Sequence, residues 1–241
     1  MILKIIMLIV AAVVMILTPM YVKAQKDGPC YKSLALKMIA ATGYIIVGVL
    51  GIKASGSFTQ FDKIMLGALA LSWIGDLFLH LWQTKIFNGI GFLGFFSAHF
   101  FFIAAYLNGI KGLDAARGFF SVPEIIFVVV FDICFIVFAI LTKMNLKGII
   151  AVPIVMYATV ITTMFCKACM LGITAVKNGM ENGVLVAVFA AVGAALFVMS
   201  DSSISVLIFN EKHKKNYKLK MFNMLTYYAA ELLLASLTLF F

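Results

Sequence analysis

The chain has 241 residues, 64% of them hydrophobic and 12% charged, with four cysteines and a formal net charge of +9; its mean hydropathy is +1.10. A soluble domain is about 45–50% apolar and about 25% charged, so a water-exposed globule is excluded, as are a disordered chain and a disulfide scaffold. The basic surplus is spread over short loops, where it sets membrane orientation; the expected partner is anionic lipid headgroup and not nucleic acid.

A membrane-spanning helix needs roughly 17–25 mostly apolar residues. Eight such segments can be laid along the chain, roughly at 5–22, 33–52, 62–81, 87–108, 119–141, 148–170, 183–209 and 222–241. The expected fold is therefore all-α: one polytopic membrane helix bundle over 1–241, with eight transmembrane helices and gaps too short for an extramembrane domain. The first segment has a second reading. Lys4, an apolar run and Val22-Lys23-Ala24 before Gln25 resemble a secretory signal with its cleavage site, although the run is long for a signal and adequate for a span.

Orientation follows from the loops. Those after the first, third, fifth and seventh segments hold eleven Lys residues (23, 26, 32, 85, 143, 147, 212, 214, 215, 218 and 220), against Lys4, Lys53, Lys63, Lys111, Arg117 and Lys177 on the other side. The positive-inside rule then places the Lys212–Lys220 loop in the cytoplasm and both termini outside.

The informative residues are polar ones inside the apolar segments: Lys37, Asp76, His99, Asp132, Asp201 and Glu231. Each ionisable group at a helix centre costs about 2.5–3.5 kcal/mol, so several together call for a shared polar interior. With the orientation above, all but Asp132 fall in the cytoplasmic half, and Asp76 and Asp201 lie about 8 and 12 Å inside it at ~1.5 Å per residue. Neutral residues would hold helices together without the charge penalty, so the two aspartates read as functional, with their carboxyls expected in one cavity. Lys37 reads equally as a site residue or as a snorkelling interface lysine. Gly75 and Ser200 precede the aspartates, and aligning the two aspartates also aligns Ala70-Leu71 with Ala195-Leu196, four helices apart, so an internal duplication is conceivable.

In chain order the motifs are S-x-x-G-D ending at Asp76, F-N-G followed by A-H at His99, P-x-x-x-Y from Pro153 to Tyr157, A-L-F-x-x-S-D ending at Asp201, and Y-Y-A-A-E ending at Glu231. This series resembles the YhhN-like lysoplasmalogenase family over about 200 residues, from the second segment to the eighth. The resemblance implies a hydrolase that cleaves the vinyl ether bond of lysoplasmalogens to a fatty aldehyde and glycerophospho-ethanolamine or glycerophosphocholine. It implies Asp76 and Asp201 as the catalytic pair and Lys37, Ser72, His99, Tyr157, Ser200, Tyr227, Tyr228 and Glu231 as supporting or substrate-binding residues. Two departures stand out. Family members usually carry Gln where this chain has Glu231, and often Pro shortly after the Lys where it has Met38-Ile39-Ala40.

Vinyl ether hydrolysis starts with protonation of an alkene carbon, which asks for one protonated carboxyl and one ionised carboxylate to stabilise the oxocarbenium ion. No cofactor is expected. A metal site is not expected either, because His80, His99 and His213 fall on a helix end, in mid-helix and in a loop. C-K-A-C at Cys166–Cys169 reads as helix packing, and neither G-x-S-x-G nor a phosphate-binding glycine loop occurs. The alternative is a proton-coupled membrane transporter that uses the same carboxylates, with Gly89, Gly91 and Gly94 as gating points.

Overall fold

The computed structural model describes residues 1–81, 85–145 and 151–241, without the side chains of Lys85 and Ala151. Lys147 and the first three residues expected in the sixth helix, 148–150, lie outside the described residues. Among the described residues eight α-helices follow in order: α1 (Ile2–Ala24), α2 (Tyr31–Ser55), α3 (Gln60–His80), α4 (Lys85–Leu113), α5 (Val122–Leu141), α6 (Ala151–Lys177), α7 (Gly183–Phe209) and α8 (Tyr217–Ala235). A short 3-10 turn, Ser236–Leu239, closes the chain. Seven of the eight are long and apolar enough to cross a membrane, α8 being the exception. The protein is a multi-pass membrane helix bundle.

Local chemistry sets the helix ends. Thr59 and Asp62 form a capping box at the start of α3, with the Thr59 backbone N–H donating to Asp62 Oδ2 at 2.8 Å. Ser121 and Glu124 form another at the start of α5. That cap, with Pro123 in the first turn, starts α5 three residues later than apolarity alone predicts. Gly56, at φ 79°, ends α2 in the left-handed conformation. The eighth helix starts five residues before its expected first residue because Asn216 caps it, accepting from the Leu219 N–H at 3.1 Å.

Six helices close a ring in the order α2, α3, α4, α6, α7, α8 and back to α2, with α1 outside on α2 and α8, and α5 outside on α6. The packing repeats every four helices: α1 on α2, α2 on α3, α3 on α4 and α4 on α6 have counterparts in α5 on α6, α6 on α7, α7 on α8 and α8 on α2. α1 packs as part of the bundle, with Val14, Thr18, Tyr21 and Val22 buried. Small residues allow close approach, as a Cβ on Gly94 would stand 3.1 Å from the Gly75 Cα. α4 runs unbroken through Gly89, Gly91 and Gly94, and the last two are contact points against α3, so they do not form the interruption a gating element needs.

α5 shows its apolar side outward, where Ile125, Val129, Ile133, Ile136 and Ile140 are exposed, as suits lipid. One end is fastened by a buried cluster that sequence reading missed. Lys167 pairs with Glu124 at 3.0 Å and donates to the Phe119 carbonyl, and Arg117 lies 3.7 Å from Glu124. Lys167 is the polar member of C-K-A-C, and Cys166 and Cys169 beside it are free thiols in the helix packing.

Candidate active site

Every helix of the ring contributes a polar side chain to its interior. On α2, Lys37 is six residues past the helix start; it is buried and does not snorkel. Its ammonium sits 3.0 Å from Asp76 Oδ1 and donates to the Asp76 carbonyl at 2.9 Å. Tyr227 donates to Asp76 Oδ2 at 2.7 Å and Tyr44 donates to the same oxygen at 3.4 Å. The Asp76 side chain is only 2% exposed. A buried carboxylate with an ammonium and two hydroxyls directed at it has its charge compensated in place.

Asp201 has a different environment. Tyr157 donates to its Oδ2 at 2.6 Å and His99 Nε2 stands 3.3 Å from the same atom. His99 Nε2 and the Tyr157 hydroxyl are 3.0 Å apart, so the three form a triangle. Oδ1 accepts no hydrogen bond from a described residue, and the side chain is 15% exposed. The Tyr157 ring lies against Phe92 and Phe96, with centroids 5.0 and 6.0 Å away, and Phe92 is itself 37% exposed. Phe95 turns the other way, edge-on to Tyr227.

The two carboxyls thus occupy two clusters, and no hydrogen bond joins them directly among the described residues. Phe197 is fully buried between them, 4.8 Å from the His99 ring and 5.6 Å from that of Tyr227. The physical reason is the residue spacing: Phe197 precedes Asp201 by four positions, so it lies on the same face of α7 one turn away.

The remaining expected residues divide. Glu231 is fully buried on α8 beside Ser72 and Tyr227, and among the described residues neither its two oxygens nor the Ser72 hydroxyl closes a hydrogen bond of ordinary geometry. Tyr228 donates to the Lys37 carbonyl at 3.2 Å, a tie between α8 and α2. Ser200 is tied to Asn223, whose amide donates to the Ser200 carbonyl at 2.7 Å and to its hydroxyl at 2.9 Å. Asp132 sits apart on the outer helix α5, accepting from Thr159 at 2.8 Å. His80, at the end of α3, is 3.1 Å from Ser33 and beside the Tyr21 ring. Sequence reading missed Tyr44, although it lies seven residues, or two helical turns, after Lys37 and so shares its face.

The family model for the YhhN family matches residues 32–238. The chain belongs to the YhhN family. The match spans α2 to α8 and with them every ring helix; α1 precedes it. No curated protein and no solved structure gives a significant match.

Proposed function

We propose that this YhhN-family protein is a membrane hydrolase that cleaves the vinyl ether bond of lysoplasmalogens, using Asp76 and Asp201. The observation that carries the reading is the pair of aspartates on α3 and α7, each held by its own donors inside the ring of helices. Helix cohesion alone would be served by neutral residues at less cost.

The chemistry matches the groups present. A carboxyl proton goes to the outer carbon of the C=C bond, whose π electrons form the new C–H bond and leave an oxocarbenium ion at the ether carbon. A carboxylate stabilises that cation, and water adds to it while losing a proton to a carboxylate. The hemiacetal then breaks its bond to the glycerol oxygen, which leaves with a proton, and the fatty aldehyde departs. Tyr157 and His99 orient the Asp201 carboxyl, and Tyr227 orients that of Asp76.

The basic charge of the Lys212–Lys220 loop favours a cytoplasmic position for it, with both termini outside. A lysolipid then enters from the cytoplasmic leaflet with its alkenyl chain along Phe92 and Phe96. Because the Lys37 ammonium is engaged with Asp76, the headgroup phosphate falls to the loop lysines. The test is purified protein in lipid nanodiscs with 1-alkenyl-glycerophosphoethanolamine, and the 1-acyl lysolipid as control. Aldehyde and glycerophosphoethanolamine are expected in equal amounts from the first and no product from the second. No aldehyde, or fatty acid from the acyl lipid, refutes the proposal.

A further inference from the structure

The four-helix repeat in the packing extends to the site. Lys37 lies six residues after the first residue of α2, and Tyr157 lies six after the first residue of α6; His99 and Glu231 each lie fourteen residues into α4 and α8. Asp76 and Asp201 occupy matching helices, α3 and α7. Each aspartate is therefore served by the helix before it, through Lys37 for Asp76 and Tyr157 for Asp201. Each is also served by the last helix of the other half, through Tyr227 on α8 and His99 on α4. The two half-sites share one plan and differ in substance. One has an ammonium where the other has a phenol.

Three geometric differences follow from that exchange. Asp76 has both oxygens occupied, one by the Lys37 ammonium and one by two hydroxyls, whereas Asp201 has both donors on Oδ2 and none from a described residue on Oδ1. The Asp76 side chain is 2% exposed and that of Asp201 15%. Asp201 adjoins an aromatic wall, Tyr157 with Phe96 and Phe92, that ends on the exposed Phe92 ring, whereas Phe95 beside Tyr227 is only partly exposed.

We infer that the two aspartates divide the reaction, with Asp201 giving its proton to the alkene carbon through Oδ1 and Asp76 remaining a sealed counter-charge that never touches the lipid. This rests on the hydrolase reading above and assigns its two roles. The Asp201 O–H bond breaks as the new C–H bond forms; the carboxylate left behind takes the proton that the attacking water releases and is reset for the next turnover. Asp76 is a positioning residue, whose charge is balanced by Lys37 and whose field reaches the cation through Tyr227. A neutral carboxyl open to lipid is what a carbodiimide attacks, whereas an ion-paired, sealed carboxylate is protected.

The test labels the wild-type protein in nanodiscs with a lipid-soluble carbodiimide and reads the adduct by peptide mass spectrometry, a measurement that needs neither substrate nor variant. Adduct is expected on Asp201, at about tenfold or more over Asp76, with turnover falling in step. Adduct on Asp76 in preference, on both equally or on neither overturns the division. Formate provides the second measurement: it enters the opening left in Asp201→Gly and raises turnover about tenfold or more over the unrescued variant, while Asp76→Gly gains nothing. Asp76→Asn lowers kcat and leaves KM within about twofold, as a residue off the substrate must. Rescue of the Asp76 variant, or a KM effect there, overturns the division while leaving the hydrolase reading intact. Absence of aldehyde from the wild-type protein overturns both.

Discussion

Replacing Lys37 by Met keeps most of the side-chain stem and removes the ammonium that lies 3.0 Å from Asp76 Oδ1, in a pair whose members are 5% and 2% exposed. Tyr227 and Tyr44 then remain as the hydroxyl donors to a buried carboxylate. Breaking a buried pair by removing one partner costs about 3–5 kcal/mol, because the other charge is left uncompensated. At about 2–4 °C per kcal/mol for a chain of this size, the melting temperature should fall by roughly 6–20 °C. Adding Asp76→Asn removes the stranded charge while its amide oxygen still accepts from Tyr227. The double variant should therefore lose only about 1–2 kcal/mol, and it should be more stable than Lys37→Met alone. The assay is thermal unfolding of the four purified proteins in one detergent, analysed as a double-mutant cycle. Additive losses, within about 0.5 kcal/mol, would refute the ion pair as an energetic unit.

Asp201→Asn should cut turnover about 10²–10⁴-fold with normal insertion, measured as aldehyde release, whereas Glu231→Gln should retain most of it because neither Glu231 oxygen is engaged in an ordinary hydrogen bond. Gly94→Leu should part α3 from α4 at their closest approach and lower both stability and turnover, because the Gly75 Cα leaves no space for a side chain; unchanged melting would contradict that contact. Cys30 is exposed at the start of α2, and hydrogen bonds with Ser33 hold its thiol below its usual pKa. Its thiolate fraction is therefore raised at neutral pH, so a membrane-impermeant maleimide should label it rapidly when applied to the cytoplasmic face of sealed vesicles; labelling from the opposite face alone would invert the proposed orientation.

The chain's order carries the helix ranges well. α7 runs from Gly183 to Phe209, the range its apolarity predicts, and the helix-two lysine, the two aspartates and His99 all point inward. Position around the bundle is less legible, because α4 bypasses α5 to meet α6 while α8 closes on α2, and no local pattern announces either contact. Hence the Lys37 ammonium, read equally as a site residue or a snorkelling interface lysine, proves to be the partner of Asp76. Phe197 stands in the A-L-F-x-x-S-D motif, but the motif gives no sign that this ring separates two polar clusters. α8, laid out as an eighth apolar span, is the least apolar helix: it carries Asn223, Thr226, Tyr227 and Glu231, and ring packing on several sides buries them. The Glu124 and Lys167 pair escaped notice because its members belong to different helices and C-K-A-C drew attention to its thiols and not to the lysine between them.

Proton delivery to an alkene carbon leaves a record in the product, and that record tests the account most directly. Wild-type protein turning over a 1-alkenyl lysolipid in D2O, with the aldehyde reduced to its alcohol as it forms, should yield product with one deuterium on the second carbon of the chain. Asp201→Asn should yield almost none. Aldehyde that forms without deuterium at that carbon, or wild-type protein that forms no aldehyde, would contradict the proposed chemistry.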